Sequence, residues 1–206
     1  MRKLPVYLLI DISGSMSGSP IQSVNDGIRS LVAELQSDPL ALETVWLSLI
    51  TFESSARVIN QLTEIGDFVP PTLGTAGSTN LKAGIEVLLQ QIKQEVKTQS
   101  ATEKGDYKPM IFLMTDGQPD SGWEAKAQEL KATRYPVIAC AIGDGANVNV
   151  LKQITEGVVK ISGSTPTSFK RYFKWVSQSI VATGKSLSLG QEKLVMAIPD
   201  DDIELI

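Results

Sequence analysis

Apolar residues along the chain fall into short continuous runs, and these alternate with longer stretches in which apolar residues recur every three or four positions. The continuous runs are rich in β-branched and aromatic side chains, which predicts buried strands. They cover residues 4–10, 45–52, 56–62, 109–114, 137–142 and 158–161. The stretches with helical periodicity predict α-helices over residues 20–36, 81–97, 123–133, 149–155 and 169–183.

Strands that alternate with helices and are apolar throughout predict a doubly wound, Rossmann-like α/β fold. Its sheet should be mostly parallel, six-stranded and covered by helices on both faces. The short polar segment 53–55 joins two of these strands and predicts an antiparallel hairpin. We therefore expect residues 56–62 to form one antiparallel strand at an edge of the sheet.

The alternating pattern ends near residue 183, so we expect one domain over residues 1–183 and a tail over residues 184–206. The tail combines an apolar stretch with the acidic cluster Asp200–Asp202. This composition is compatible with an extra strand, with a docking segment and with a disordered end, and the sequence leaves all three open.

The composition excludes several classes of function. The chain has 206 residues, a formal net charge of −4 and a pI near 5.0. Its lysines and arginines form no cluster, which argues against nucleic acid as a partner. The sequence contains no histidine, which excludes Ser-His-Asp catalysis, histidine general bases and zinc sites built on paired histidines.

The single cysteine, Cys140, lies within the apolar run of residues 136–142, which indicates a buried free thiol in a reducing compartment. Arg2 and Lys3 precede an apolar run and imitate a signal peptide, but that run is short and ends at the charged Asp11. No stretch is long and apolar enough to span a membrane. We therefore expect a cytoplasmic protein that does not associate with membranes.

Oxygen-bearing side chains occur at three places where a predicted strand or loop gives way to a helix. They are Asp11, Ser13 and Ser15, then Ser78 and Thr79, then Thr115 and Asp116. Any one of these groups could simply cap the helix that follows it. In a parallel sheet, however, the carboxyl ends of the strands lie at the same edge, so all three groups would converge there. This is also the edge at which such sheets bind their ligands. Hydroxyl and carboxylate oxygens suit Mg²⁺, Mn²⁺ or Ca²⁺.

The ordered motif D-x-S-x-S at residues 11–15, G-S-T at residues 77–79 and T-D-G at residues 115–117 resembles the metal-ion-dependent adhesion site of von Willebrand factor A (VWA) domains. The resemblance implies that Ser13 and Ser15 bind the ion directly, and that Thr79 binds it directly or through water. It also implies that Asp11 and Asp116 hold bound waters and neutralise charge. The cation, Mg²⁺ by preference, would keep one position for a partner's Asp or Glu, so the implied function is protein binding and not catalysis.

Among VWA proteins, the sequence is similar to bacterial tellurite-resistance proteins of the TerY type. This narrower resemblance implies a scaffold in a stress-response or metal-resistance complex. A kinase and a phosphatase are the partners that it suggests.

An enzymatic alternative uses the same aspartate. Asp11 at a strand end near Mg²⁺ could accept a phosphoryl group as a nucleophile, as in haloacid-dehalogenase-type phosphatases. Those enzymes need a second aspartate two residues later, and that position is Ser13 in this chain. The missing acid disfavours a Mg²⁺-dependent phosphohydrolase.

The three tryptophans are candidates for partner contacts. Trp46 and Trp175 lie in periodic apolar segments and are expected in the core. Trp123 follows a polar turn close to the predicted ion site, so we expect it to be the partner-binding aromatic residue.

Overall fold

The computed structural model describes residues 2–116, 118–143, 145–161, 165–191, 194–198 and 203–206. Gly117 of the T-D-G motif and the acidic residues 200–202 of the tail lie outside the described residues. Within the described part of the chain, no helix is long and apolar enough to cross a membrane.

The described strands form one seven-stranded sheet in the order β3-β2-β1-β4-β5-β6-β7. The strands are β1 (Leu4–Asp11), β2 (Val45–Phe52), β3 (Ala56–Glu64), β4 (Met110–Thr115), β5 (Val137–Ile142), β6 (Gly157–Ile161) and β7 (Ile203–Leu205). The helices are α1 (Ser19–Ser37), α2 (Pro39–Thr44), α3 (Leu81–Glu95), α4 (Glu124–Ala132), α5 (Val148–Ile154) and α6 (Pro166–Ser188). Short 3₁₀ turns occur at Gly14–Met16 and Ile65–Asp67.

The mostly parallel, doubly wound sheet is confirmed, but the predicted count of six strands and one antiparallel edge is wrong. Strands β2, β1, β4, β5 and β6 are parallel, β3 pairs antiparallel with β2, and β7 pairs antiparallel with β6. Strand β7 comes from the tail, where Ile203 is paired with Ile161 and Leu205 with Val159. Its three residues are too short to give a periodic sequence signal.

The tail is tied to the domain along α6. This helix continues past residue 183, where we expected the domain to end, and stops at Ser188. The indole N–H of Trp175 donates to the carbonyl of Ala197 at 2.8 Å, and the Thr183 hydroxyl donates to the carbonyl of Val195 at 3.1 Å. Side chains of α6 thus hold residues 194–198 against the helix.

Each face of the sheet has its own core because successive strand residues point to opposite faces. Val6, Leu8 and Ile10 of β1 pack with α1 and α6 on one face, while Tyr7 and Leu9 pack with α3, α4 and α5 on the other. Every residue of β1 is buried. The centre of the sheet is therefore covered on both faces, which leaves the ends of the described strands for a site.

Candidate metal centre

The D-x-S-x-S turn leaves the carboxyl end of β1, between the parallel strands β2 and β4. Helix α1 follows on one face of the sheet, and α3 precedes β4 on the other. The connections therefore diverge at β1, which opens a crevice at that edge of the sheet. This position accounts for the placement of the candidate ion site.

Asp11 is the last residue of β1 and its side chain is 0% exposed. One carboxylate oxygen accepts the N–H of Ser13 at 2.8 Å, and the other accepts the hydroxyl of Thr115 at 2.6 Å. Burial raises the pKa of Asp11, while the hydrogen bonds from Ser13 and Thr115 oppose that effect. A cation nearby would favour the ionised carboxylate, so the site fits a positive ion electrostatically.

The two serine hydroxyls of the turn are spaced as neighbouring ligands of one ion. Their oxygens lie 3.1 Å apart and share a hydrogen bond, with Ser13 buried and Ser15 exposed. In an octahedral Mg²⁺ site with metal–oxygen distances of about 2.1 Å, adjacent ligand oxygens lie about 3 Å apart. The geometry of this pair therefore fits one edge of such an octahedron.

The three loops predicted to converge do lie together. The N–H of Gly14 donates to the carbonyl of Gly77 at 3.1 Å, and the N–H of Asp120 donates to the carbonyl of Thr79 at 2.9 Å. A depression of about 390 Å³ opens between the loops; its lining includes Ser15, Thr79 and Asp116 together with Met16, Pro20, Gln118, Ile142 and Gly145. The structure thus brings together side chains from all three parts of the motif.

Helix capping does not account for the serine and threonine hydroxyls of the site. The N-cap of α1 is Gly18, and the N-cap of α3 is Asn80, whose side chain accepts the N–H of Ala83. Ser13 precedes the 3₁₀ turn without a capping hydrogen bond from its side chain. Because other residues hold the N-cap positions of α1 and α3, the hydroxyls of Ser13 and Thr79 remain available as ligands.

The donor set is rich in hydroxyls and poor in charge. Among the described residues, no group of three or more His, Cys, Asp or Glu side chains is placed to hold a metal ion. The site instead combines the hydroxyls of Ser13, Ser15 and Thr79 with the carboxylates of Asp11 and Asp116. These hard oxygen donors fit a hard divalent cation.

The structure contradicts the prediction that Trp123 contacts a partner, because that role needs an exposed side chain. Its side chain is 6% exposed and packs in the core on the α3 and α4 side of the sheet. Trp123 is the N-cap residue of α4. The polar turn before Trp123 suggested exposure, but polar neighbours in sequence do not fix the direction of a side chain.

Two carboxylates near the site escaped sequence reasoning. Asp120 accepts the Ser78 hydroxyl at 2.8 Å, which joins the second loop to the third. Glu53 follows the carboxyl end of β2 and lies against the Gly77 loop. A usable signal for Glu53 was its position directly after a parallel strand, where ligand-side residues collect.

Comparison with known proteins agrees with this geometry. The sequence model of the von Willebrand factor type A domain matches residues 6–177. An uncharacterized protein, sll0103, from Synechocystis sp. is 29% identical over 164 residues, which cover 74% of this chain and 36% of that protein. Inter-alpha-trypsin inhibitor heavy chain H1 from Bos taurus is 24% identical over 163 residues, covering 71% of this chain and 17% of the relative. The chain thus spans only a minor part of these relatives.

Solved structures share the fold at low sequence identity. The pilus adhesin SpaC from Lactobacillus rhamnosus GG in its open conformation matches with a TM-score of 0.71 and 15% identity, over 88% of this chain and 30% of SpaC. Proximal thread matrix protein 1 from the mussel byssus, with a zinc-occupied MIDAS motif, matches with a TM-score of 0.58 and 19% identity, over 87% of this chain and 48% of that one.

The family match runs from within β1 to within α6 and includes all three loops of the candidate site. VWA domains are a metal-dependent fold for adhesion and protein interaction. The chain belongs to the von Willebrand factor type A domain family.

Proposed function

We propose that the chain binds a divalent cation through the hydroxyl oxygens of Ser13, Ser15 and Thr79. Asp11 and Asp116 hold coordinated waters and balance the charge. The observation that best supports this assignment is that Gly18 and Asn80 hold the N-caps of α1 and α3, so these hydroxyls are not engaged in capping the two helices.

The function of the site is to bind a partner protein through a carboxylate. With neutral hydroxyls as its direct protein ligands, the bound cation keeps most of its charge and attracts an anionic group strongly. The exposure of Ser15 and the depression beside it leave room for a side chain from outside. The partner residue is therefore Asp or Glu.

Mg²⁺ is the cation we propose, because hydroxyls, carboxylates and waters are the ligands that it prefers. Mn²⁺ and Ca²⁺ share this preference for hard oxygen donors. The zinc-occupied MIDAS motif of the mussel protein supports a divalent ion at the corresponding place in the fold.

The finer role that we propose is a cytoplasmic scaffold in a bacterial stress-response or tellurite-resistance complex, with a kinase or a phosphatase as partner. It rests on the resemblance to TerY-type proteins that the sequence suggests, and on no other observation. The burial of Cys140 as a free thiol is compatible with a reducing compartment.

The test begins with direct cation binding. Electron paramagnetic resonance measures the binding of Mn²⁺ to the full chain. The wild type should bind Mn²⁺, and the variants Ser13→Ala and Asp116→Ala should not. Ser17→Ala is the matched control, because the Ser17 hydroxyl lies in the same turn but bonds to Thr75. Equal Mn²⁺ affinity in the wild type and Ser13→Ala would contradict the proposal.

The partner is tested separately. The immobilised chain should retain a protein from a lysate of its source cell in Mg²⁺, and EDTA should release it. Asp116→Ala should not retain that protein, while Ser17→Ala should. Retention that is insensitive to EDTA would contradict metal-dependent binding.

We propose no catalytic role for Asp11. Its carboxylate is fully buried, and Ser13 stands where an enzyme of that type needs a second acid to protonate the leaving group. The phosphohydrolase alternative predicts release of phosphate from a generic phosphate ester with Mg²⁺, and loss of that activity in Asp11→Asn. Such turnover would overturn the assignment as a binding module.

A further inference from the structure

The turn between β2 and β3, Glu53–Ser55, carries a carboxylate that lies beside the metal site but outside its motif. Glu53 follows Phe52, which is the register partner of Asp11, so the turn leaves the same edge of the sheet as the D-x-S-x-S loop. Glu53 is 7% exposed. A charged side chain this buried needs polar partners, and the turn supplies them.

The carboxylate of Glu53 organises its own turn. It accepts hydrogen bonds from the N–H of Ser54 and, at 2.7 Å, from the hydroxyl of Ser55, and the guanidinium of Arg57 lies 3.5 Å away. The hydrogen bonds from Ser55 and then Ser54 lower the pKa of Glu53 to about 2, although burial opposes them. The group is therefore an ionised acceptor that fixes the turn.

The same turn holds both sequence neighbours of Thr79. The N–H of Ser78 donates to the Ser54 hydroxyl oxygen at 3.0 Å. The N–H of Asn80 donates to the carbonyl of Glu53 at 2.8 Å, and its side-chain amide donates to the carbonyl of Ser54 at 3.1 Å. Thr79 thus lies between two residues that are both hydrogen-bonded to the turn.

Gly77 shows how closely the turn and the loop approach each other. A Cβ at this position would overlap Ser54 Oγ and Glu53 Oε2, and its φ of +66° also favours glycine. The carbonyl of Gly77 accepts the N–H of Gly14, so the contact continues into the D-x-S-x-S turn. A displacement of the β2–β3 turn would therefore reach both ligand loops.

We propose that Glu53 is a positioning residue of the metal site. Its carboxylate fixes the Glu53–Ser55 turn, and that turn holds the Thr79 hydroxyl in place for the ion. The inference rests on the proposed cation site, and it adds a residue from a fourth loop to it.

Mn²⁺ affinity of the full chain, measured by electron paramagnetic resonance, tests this role. Glu53→Ala should weaken Mn²⁺ binding by about 10- to 100-fold, the loss typical of residues that orient metal ligands. Glu64→Ala is the matched control, because Glu64 is an exposed carboxylate at the other end of the same hairpin and should leave the affinity unchanged.

A double-mutant cycle separates positioning from a general structural effect. Because Glu53 acts mainly through the loop that carries Thr79, Glu53→Ala should cause a much smaller loss of Mn²⁺ affinity in a Thr79→Ala background than in the wild type. Additive losses of Mn²⁺ affinity, or a Glu53→Ala affinity equal to that of Glu64→Ala, would overturn the positioning role. The proposed cation site would still stand in that case if Mn²⁺ binding depends on Ser13. A wild type that binds no Mn²⁺ would overturn both.

If Glu53→Ala does not fold, Gly77→Ala tests the contact between the turn and the Thr79 loop, because an added Cβ would push the two apart. Gly190→Ala is its control, since Gly190 has a similar positive φ of +78° but open space around it. Gly77→Ala should weaken Mn²⁺ binding and Gly190→Ala should not. Equal affinities of these two variants would overturn the inference.

Discussion

The hydroxyl of Thr115 donates a hydrogen bond of 2.6 Å to the carboxylate of Asp11, across 104 residues of sequence. Parallel pairing of β1 with β4 sets Ile10 opposite Met114, so the next residue of each strand meets at the carboxyl ends. The bond occupies one oxygen of the buried carboxylate and fixes its orientation. Thr115 therefore supports the proposed metal site without being one of its predicted ligands.

Thr115→Val should both destabilise the protein and weaken cation binding. Valine keeps the shape but leaves a buried carboxylate oxygen without its donor, which should lower the free energy of unfolding by about 1–3 kcal/mol. Urea denaturation without metal and Mn²⁺ binding measure the two effects. Thr155→Val is the control. Thr155 lies just before β6, and its hydroxyl donates to the carbonyl of Val137 at the start of β5, which is at the amino ends of the strands and away from the site. The control should lose stability and keep its Mn²⁺ affinity. An equal loss of Mn²⁺ affinity in Thr115→Val and Thr155→Val would contradict a specific role for Thr115.

Helices α1 and α6 approach each other closely at Gly27. A Cβ there would overlap the ring of Phe173, so Gly27→Ala should lower the free energy of unfolding by about 1–3 kcal/mol through overpacking. At Gly184 of α6 an added Cβ meets only Thr44 at 3.7 Å and Leu40 at 3.9 Å. Gly184→Ala should therefore stabilise the protein by about 0.5–1 kcal/mol, since alanine favours a helix interior. Urea denaturation of both variants tests the contrast, and a neutral Gly27→Ala would contradict the packing.

Stability should depend on pH through Glu53. Its folded-state pKa of about 2 lies below the ordinary value of 4.5, so its contribution is present above pH 4.5 and is lost as the pH falls towards 2. Glu53→Gln should therefore be less stable than the wild type at neutral pH, and the difference should shrink with acidification. Urea denaturation of the metal-free proteins at a series of pH values measures it. A difference that stays constant down to pH 2 would contradict the assigned hydrogen bonds.

The thiol of Cys140 should be unreactive in the native protein. It is fully buried in β5, and burial raises its pKa, so almost no thiolate forms and no reagent reaches it. Ellman's reagent at pH 8 should label the chain only after denaturant is added. Fast labelling of the native protein would contradict the placement of β5 in the interior.

The sequence by itself determined the alternation of strands and helices, because burial on both faces requires apolar runs and surface helices require a periodic apolar face. It also identified the three loops of the site, since their oxygen-bearing residues directly follow or precede those elements. The composition removed histidine chemistry without any structure. These conclusions depend on residue types and short spacings, which the chain carries locally.

Tertiary structure decided everything that depends on which distant segments meet. Only the fold shows that Gly18 and Asn80 hold the N-caps of α1 and α3, and that Glu53 lies against Gly77. It also placed Trp123 in the core and added β7 to the sheet edge. The physical reason is that strand register and side-chain direction set these contacts, and neither leaves a periodic signal in the sequence.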